Sequence, residues 1–499
     1  MTTGSCRHGS DPPHSYFLMT TPRIASALLL YVYCGLIVLS VVPFGLVDIL
    51  PQTLIVIVMS VLGGAAVIVH GPPQRGRWVF GATIAVFSLT ALWIVVQTVE
   101  LPFALIDDPI WADARAMASA RRTISVEPAD TLATLLQIAL PVVTFLTGLI
   151  IAERCKDDQT IIRFLASVVG ILALYGLYQF LFLPDTLLGV AKKAYQDSLT
   201  ATFVNRNTNA TFFGVGLLMQ LTLVFDSFFV RTDRASHEPQ NSTMLLSRLY
   251  YCALFLFTFV ALMLTQSRAG VFLTGLALLV YVPFLTSQWL KTFPNSLKRL
   301  GSRLFRVAGI VAAAGLGIGV FFLFASKAVL RANIQGLDDA RFCIWPDVVR
   351  ATSNNWLLGT GLGTFRTVFS GYRDSRCGIF NIFDRAHNTY LEGFLTLGII
   401  FPVVLLLVLA ALLFIFWRGY HNRKRNRHYA ALGLAATILV WGHALVDFSI
   451  QIPGFSVFYA AFLSGAICVC YKRTLKPAIS KNAAAHKYNN DEIEPSLIY

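Results

Sequence analysis

FPVVLLLVLAALLFIFWRGYHNRKRNRH, residues 401–428, decides what kind of protein this is. Its first seventeen residues, 401–417, carry no charge. Together with the apolar residues before them they make a helix long enough to cross a hydrocarbon core of about 30 Å. Five Lys or Arg follow within 418–428, the mark of a span that ends on the cytoplasmic side. The same pattern recurs along the chain. With 499 residues, 56% hydrophobic, 13% charged and a mean hydropathy of +0.65, the composition excludes an ordinary soluble globular protein.

The expected fold is all-α, a polytopic membrane protein of about twelve transmembrane helices with one large periplasmic loop. The spans fall near 24–45, 51–70, 78–99, 131–152, 161–183, 209–230, 248–266, 269–286, 307–326, 389–417, 429–448 and 454–471. The first has no small-residue cleavage site behind it and reads as a retained helix. QRGR (74–77), LKTFPNSLKRLGSRLFR (290–306), RGYHNRKRNRH and the tail from Lys472 are the basic connectors, whereas the short turns 46–50 and 449–453 hold no Lys or Arg. That asymmetry places both termini in the cytoplasm. The expected organisation is a cytoplasmic N-terminus (1–23), nine spans (24–326), a periplasmic loop (327–388), three spans (389–471) and a cytoplasmic tail (472–499). The tail is polar, short of aromatics and reads as disordered. The net charge of +14 suits basic loops lying on anionic membrane lipids, and no motif for nucleic acid competes with that.

Polar chemistry breaks the apolar pattern in a few places. The segment 327–388 holds eight Lys or Arg against five Asp, on the side where basic residues are disfavoured. Within it, Gly359, Gly361 and Gly363 form a G-x-G-x-G run with no strand before it and no Walker lysine after it, which reads as a flexible turn. Arg206 in FVNRNTNATFFG (203–214) and Arg268 in LTQSRAGVF (264–272) stand at the outer ends of apolar spans. Ionisable groups there are functional candidates, with lipid snorkelling as the alternative. FDRAHNTYLEGF (383–394) sets His387 and Asn388 at the mouth of the tenth span, with Glu392 one turn beyond. Arg385 in the same stretch reads as a solvated loop charge, with a substrate contact as the alternative.

FVNRN (203–207), SRAG (267–270), the stretch from Arg341 through Trp345 and LLGTGLGTF (357–365) into AHNTYLEG (386–393), and HALVDFSIQIP (443–453) together resemble the O-antigen ligase and polymerase superfamily over roughly residues 200–465. The resemblance implies a glycosyltransferase of the bacterial inner membrane acting at the periplasmic face. Its donor would be an undecaprenyl pyrophosphate-linked glycan and its acceptor a lipid A core or another glycan. It carries functional roles onto Arg268, Arg341 and His387. The chemistry suits these residue types. An arginine fork grips pyrophosphate oxygens, with Arg206 as a third cation, and a histidine titrating near pH 6.5 takes the proton of the acceptor hydroxyl. Asn388 and Glu392 would bind or position substrate. The scheme needs no metal and no cofactor. The acidic pairs Asp107–Asp108 and Asp338–Asp339 read as solvated, and His443 and Asp447, four apart on one helix face, as a structural pair.

Two alternatives stay open. A polymerase would join lipid-linked repeat units instead of delivering a finished chain. A twelve-span transporter of lipid-linked glycan would show a long cytoplasmic connector and internal repeats, which this sequence does not display. Of eight cysteines, Cys343 and Cys377 are the two in outer loops, and an oxidising compartment favours a disulfide between them.

Overall fold

A computed structural model describes residues 17–100, 123–155, 157–230, 242–289, 340–374, 382–423 and 426–471. Almost all of this is helical. The elements are α1 (Phe17–Val41), α2 (Ile49–His70), α3 (Arg77–Thr98), α4 (Pro128–Arg154), α5 (Thr160–Phe182), a two-residue hairpin of β1 (Thr186–Leu187) and β2 (Val190–Ala191), α6 (Arg206–Phe225) with a π-helical turn (Asp226–Val230), α7 (Ser242–Leu264) and α8 (Arg268–Trp289). They are followed by α9 (Ala340–Asn354), α10 (Phe365–Tyr372), α11 (Thr389–Leu397), α12 (Ile400–Asn422), α13 (Arg427–His443) and α14 (Pro453–Tyr471).

Ten of the described helices are long and apolar enough to cross a membrane. The chain is a polytopic, all-α membrane protein. The twelve expected spans fare unequally. The ninth, 307–326, lies outside the described residues, as does the tail 472–499. The eleventh is helical only to His443 and then turns, and the tenth is not one helix. Gly398, at φ +63°, breaks it into α11 and α12. Hydropathy alone could not reveal this, because both sides of the break are apolar. The reason for the break is backbone pairing. Ile399 N–H donates to Leu357 O (3.2 Å), and Thr360 and Gly361 N–H donate to Leu395 O (3.1 Å) and Thr396 O (3.0 Å), so a Cβ at Gly398 would fall 2.4 Å from Leu357 O.

Burial separates inner from outer helices. α6 and α14 have 78% and 83% of their membrane windows buried against neighbours, whereas α3 has 17%. α6, α13 and α14 therefore form the centre, sheathed by α5, α7, α8 and α4, and the peripheral helices turn Leu, Ile and Val towards lipid. Being surrounded by protein is what lets α6 keep the polar run Arg-Asn-Thr-Asn-Ala-Thr at its start.

Loop contacts divide the bundle into two ends. At one, Glu153 accepts from the Gln74 and Arg75 N–H groups (2.9 and 3.3 Å), and Trp78 donates to the Tyr471 hydroxyl (2.9 Å). At the other, the Gln97 amide donates to Leu358 O (2.9 Å) and Thr396 O (3.0 Å), Val126 N–H donates to Thr360 O (3.1 Å), and Thr367 donates to Glu127 (2.8 Å). By the charge pattern of the connecting loops the second is the expected outer end. It carries a small second core in which Ile344, Val348 and Ala351 of α9 pack on Phe365 and Phe369 of α10 and on Ala386 and Leu395.

The glycine run is part of this platform and is not the flexible turn expected. Gly359, Gly361 and Gly363 all have positive φ (73°, 101° and 88°). A Cβ on Gly361 would stand 2.3 Å from Ser125 Oγ and 2.7 Å from Thr131 Oγ1. The run is welded to the start of α4.

Candidate functional site

Four separated segments meet at the outer end on one hydrogen-bond network. α6 starts where Asn205 caps it, its side chain accepting from Asn207 N–H (2.8 Å). Asn207 then donates to Asp447 Oδ1 (3.1 Å) and accepts from the Ser267 hydroxyl (2.8 Å). Asp447, 0% exposed, also accepts from the Ser449 hydroxyl. One turn below Asn207, Thr211 bonds His443 Nδ1 and donates to Ser449 Oγ (3.2 Å). Thr389 closes the set, its hydroxyl donating to Asp447 O (3.1 Å) and its N–H to Ala444 O (2.9 Å). Buried polar groups persist when satisfied, and here each satisfies another from a distant segment.

His443 and Asp447 share one buried network, in the structural role expected of them, but not along one helix face. α13 ends at His443, so the four-residue interval no longer follows a helix face, and Ser449 bridges them instead. Thr211, Ser267, Ser449 and Thr389 were not anticipated. Only the polar run at the start of α6, with Asn207 and Thr211 four apart, hinted at them.

The residues singled out in the sequence sit around this network. Arg206 and Arg268 are the first residues of α6 and α8, each adjacent to a network member. Arg268 is exposed, and Arg206 donates from Nη1 to Ser198 Oγ (3.2 Å) with its guanidinium over the Tyr195 ring (5.2 Å). A cation at a helix N-terminus opposes the helix dipole. Two of them, with the open N–H groups of those turns, suit an anion.

His387 lies two residues before Thr389, its ring 4.9 Å from that of Phe448, the residue after Asp447. Its φ is +51°. A non-glycine residue there is strained, and strain of this kind gathers at functional sites. Seven of the eight such residues among those described, all but Asn426, stand at the outer end. The loop is held on both sides. Trp345 Nε1 donates to Ala386 O (3.1 Å), and Glu392, 5% exposed, accepts from Ala386 N–H (2.9 Å) and from Arg385 Nη1 (2.9 Å). Arg385 is thus a clamp on the loop and not a solvated charge. Asn388 caps α11, accepting from Tyr390 and Leu391 N–H (3.0 and 3.1 Å). Asn388 and Glu392 hold the backbone around His387.

Arg341 stands in the first turn of α9, one turn before Trp345, and its side chain lies outside the described residues. Asp107, Asp108, Asp338 and Asp339 lie outside them too. Cys343 is disulfide-bonded, and its expected partner Cys377 lies outside the described residues.

Residues 253–401 match the family model described as O-antigen ligase. That stretch is similar to the O-antigen ligase family. No curated protein matches it. The matched stretch contains Ser267, Arg268, Trp345, the glycine run, His387, Asn388 and Glu392. It stops short of Arg206, Thr211 and Asp447, but the hydrogen bonds of Asn207 and Thr389 tie their segments to the matched stretch. The match covers about three-tenths of the chain and supports a likeness to the O-antigen ligase and polymerase superfamily, whose members act in glycan biosynthesis.

Proposed function

We propose that the protein transfers a glycan from an undecaprenyl pyrophosphate donor to an acceptor hydroxyl, lipid A core or another glycan, at the periplasmic face of the inner membrane. His387 takes the acceptor proton while its oxygen attacks the anomeric carbon. The glycosidic carbon–oxygen bond to pyrophosphate breaks, and Arg206, Arg268 and Arg341 neutralise the departing diphosphate. Proton removal at neutral pH suits an imidazole, and forked guanidinium groups suit phosphate oxygens. Asn388, Glu392 and Arg385 hold the His387 backbone in its left-handed conformation.

The observation that carries this reading is the convergence of FVNRN, SRAG, AHNTYLEG and HALVDFSIQIP on the single network around Asp447, with two helix-start arginines and the strained histidine at its rim. The test is the lipopolysaccharide and exopolysaccharide profile of a deletion strain complemented with wild type or Arg268→Lys at matched abundance. Loss of polymer on deletion, restored by wild type and not by Arg268→Lys, is expected. An unchanged profile on deletion would remove the proposal.

A further inference from the structure

We propose that Lys192 is a further cation of the pyrophosphate subsite, held beside Arg206 by Ser198. The inference rests on the transfer reaction proposed above and adds a residue that lies outside the family match.

Lys192 follows the β1–β2 hairpin, its N–H donating to Asp185 O (2.8 Å). It is 8% exposed, and its ammonium donates to Ser198 O (3.2 Å). An ammonium has three donors, so this contact leaves two for a ligand. Among the described residues Lys192 enters no ion pair. The same serine accepts from Arg206 through Oγ (3.2 Å). Two cations are thus held on two oxygens of one neutral residue. Two cations anchored on one residue can meet separate oxygens of a multiply charged anion. Burial already lowers the Lys192 pKa, with Asp185 opposing the shift.

The loop that presents this pair is fixed to the turn bearing Arg268. Leu199 N–H donates to Leu264 O (2.9 Å), and the Gln266 amide donates to Asp197 O (2.6 Å). Tyr195, Ala201 and Gln266 all have positive φ (59°, 45° and 54°), so strain marks this stretch as it marks His387. Lys192, Arg206 and Arg268 therefore belong to one rigid piece. Its two arginines offer forks and its lysine a point charge, a mixture suited to a diphosphate with several oxygens.

The test is binding of inorganic pyrophosphate to the full chain in lipid nanodiscs, by titration calorimetry. Lys192→Gln should weaken binding about ten- to a hundredfold, the range for a charged hydrogen bond. Lys192→Arg should stay within about threefold of wild type because it keeps the charge, and both variants should melt with wild type. Unchanged affinity in Lys192→Gln would overturn the inference, as would equal weakening by both substitutions, which marks a mere tether, or absence of pyrophosphate binding by wild type. A wild type that transfers glycan while Lys192→Gln binds normally fails this inference alone, whereas a wild type that transfers none fails the proposed function.

Discussion

Glu392→Ala should disable the protein without touching any group that reacts. The carboxylate is buried and accepts from Ala386 N–H and Arg385 Nη1, each at 2.9 Å. Losing a buried backbone bond to a charged acceptor costs about 1.5–3 kcal/mol. The Arg385 guanidinium is 31% exposed, so its pair is discounted to about 0.5–1 kcal/mol. The sum, roughly 2–4 kcal/mol, is comparable with the strain of about 1–3 kcal/mol that a left-handed His387 stores. Once the clamp is gone, the loop relaxes and the productive conformer becomes the minority. At about 1.4 kcal/mol per factor of ten, kcat should fall roughly tenfold to a thousandfold with KM for the donor little changed. Glu392→Gln keeps an acceptor for Ala386 and should fall between. Transfer kinetics combined with hydrogen exchange over 382–391 measure both sides of the argument. Full kcat in Glu392→Ala, with exchange protection intact, would refute it.

Gly361→Ala needs a φ of 101° and a Cβ 2.3 Å from Ser125 Oγ, so it should lower the melting temperature and loosen the glycine run, by an amount equivalent to about 1–3 kcal/mol. Cys343→Ser should destabilise the outer segment by about 2–4 kcal/mol in thermal unfolding. Non-reducing alkylation should leave Cys343 unlabelled in wild type, and labelling of both Cys343 and Cys377 would contradict the pairing. Cysteines placed at Ser370 and Asn422 should label only from outside and only from inside, respectively, and the reverse result would invert the orientation.

Run length and charge were enough to find the helices because the bilayer imposes one length on every span. They failed where the chain departs from that rule for a local reason. Gly398 interrupts an unbroken apolar stretch because residues 357–361 need backbone partners there, and α13 stops at His443 so that the 444–452 turn can present Asp447 to Asn207 and Thr389. The charged and titratable residues at the rim could be read directly, since Arg206, Arg268 and His387 stand out in apolar surroundings. Their supports could not. Thr211, Ser267 and Ser449 are hydroxyl residues of a kind common in membrane helices, and only their meeting in one network, with Thr211 reaching Ser449 across 238 residues and Ser267 reaching Asn207 across 60, gives them meaning. Lys192 was hidden for the same reason, its partner Ser198 being unremarkable in sequence.

The central claim is that His387 activates an acceptor hydroxyl for glycan transfer from a pyrophosphate lipid. The direct measurement is single-turnover transfer by purified protein in proteoliposomes, with defined lipid-linked donor and acceptor, following both extended product and released undecaprenyl pyrophosphate. Wild type should form the two in equal amounts, and His387→Ala, folded and at matched density, should form them about 10²- to 10⁴-fold more slowly. Transfer at the wild-type rate by His387→Ala, or movement of donor across the bilayer without any glycosidic bond made, would contradict the account.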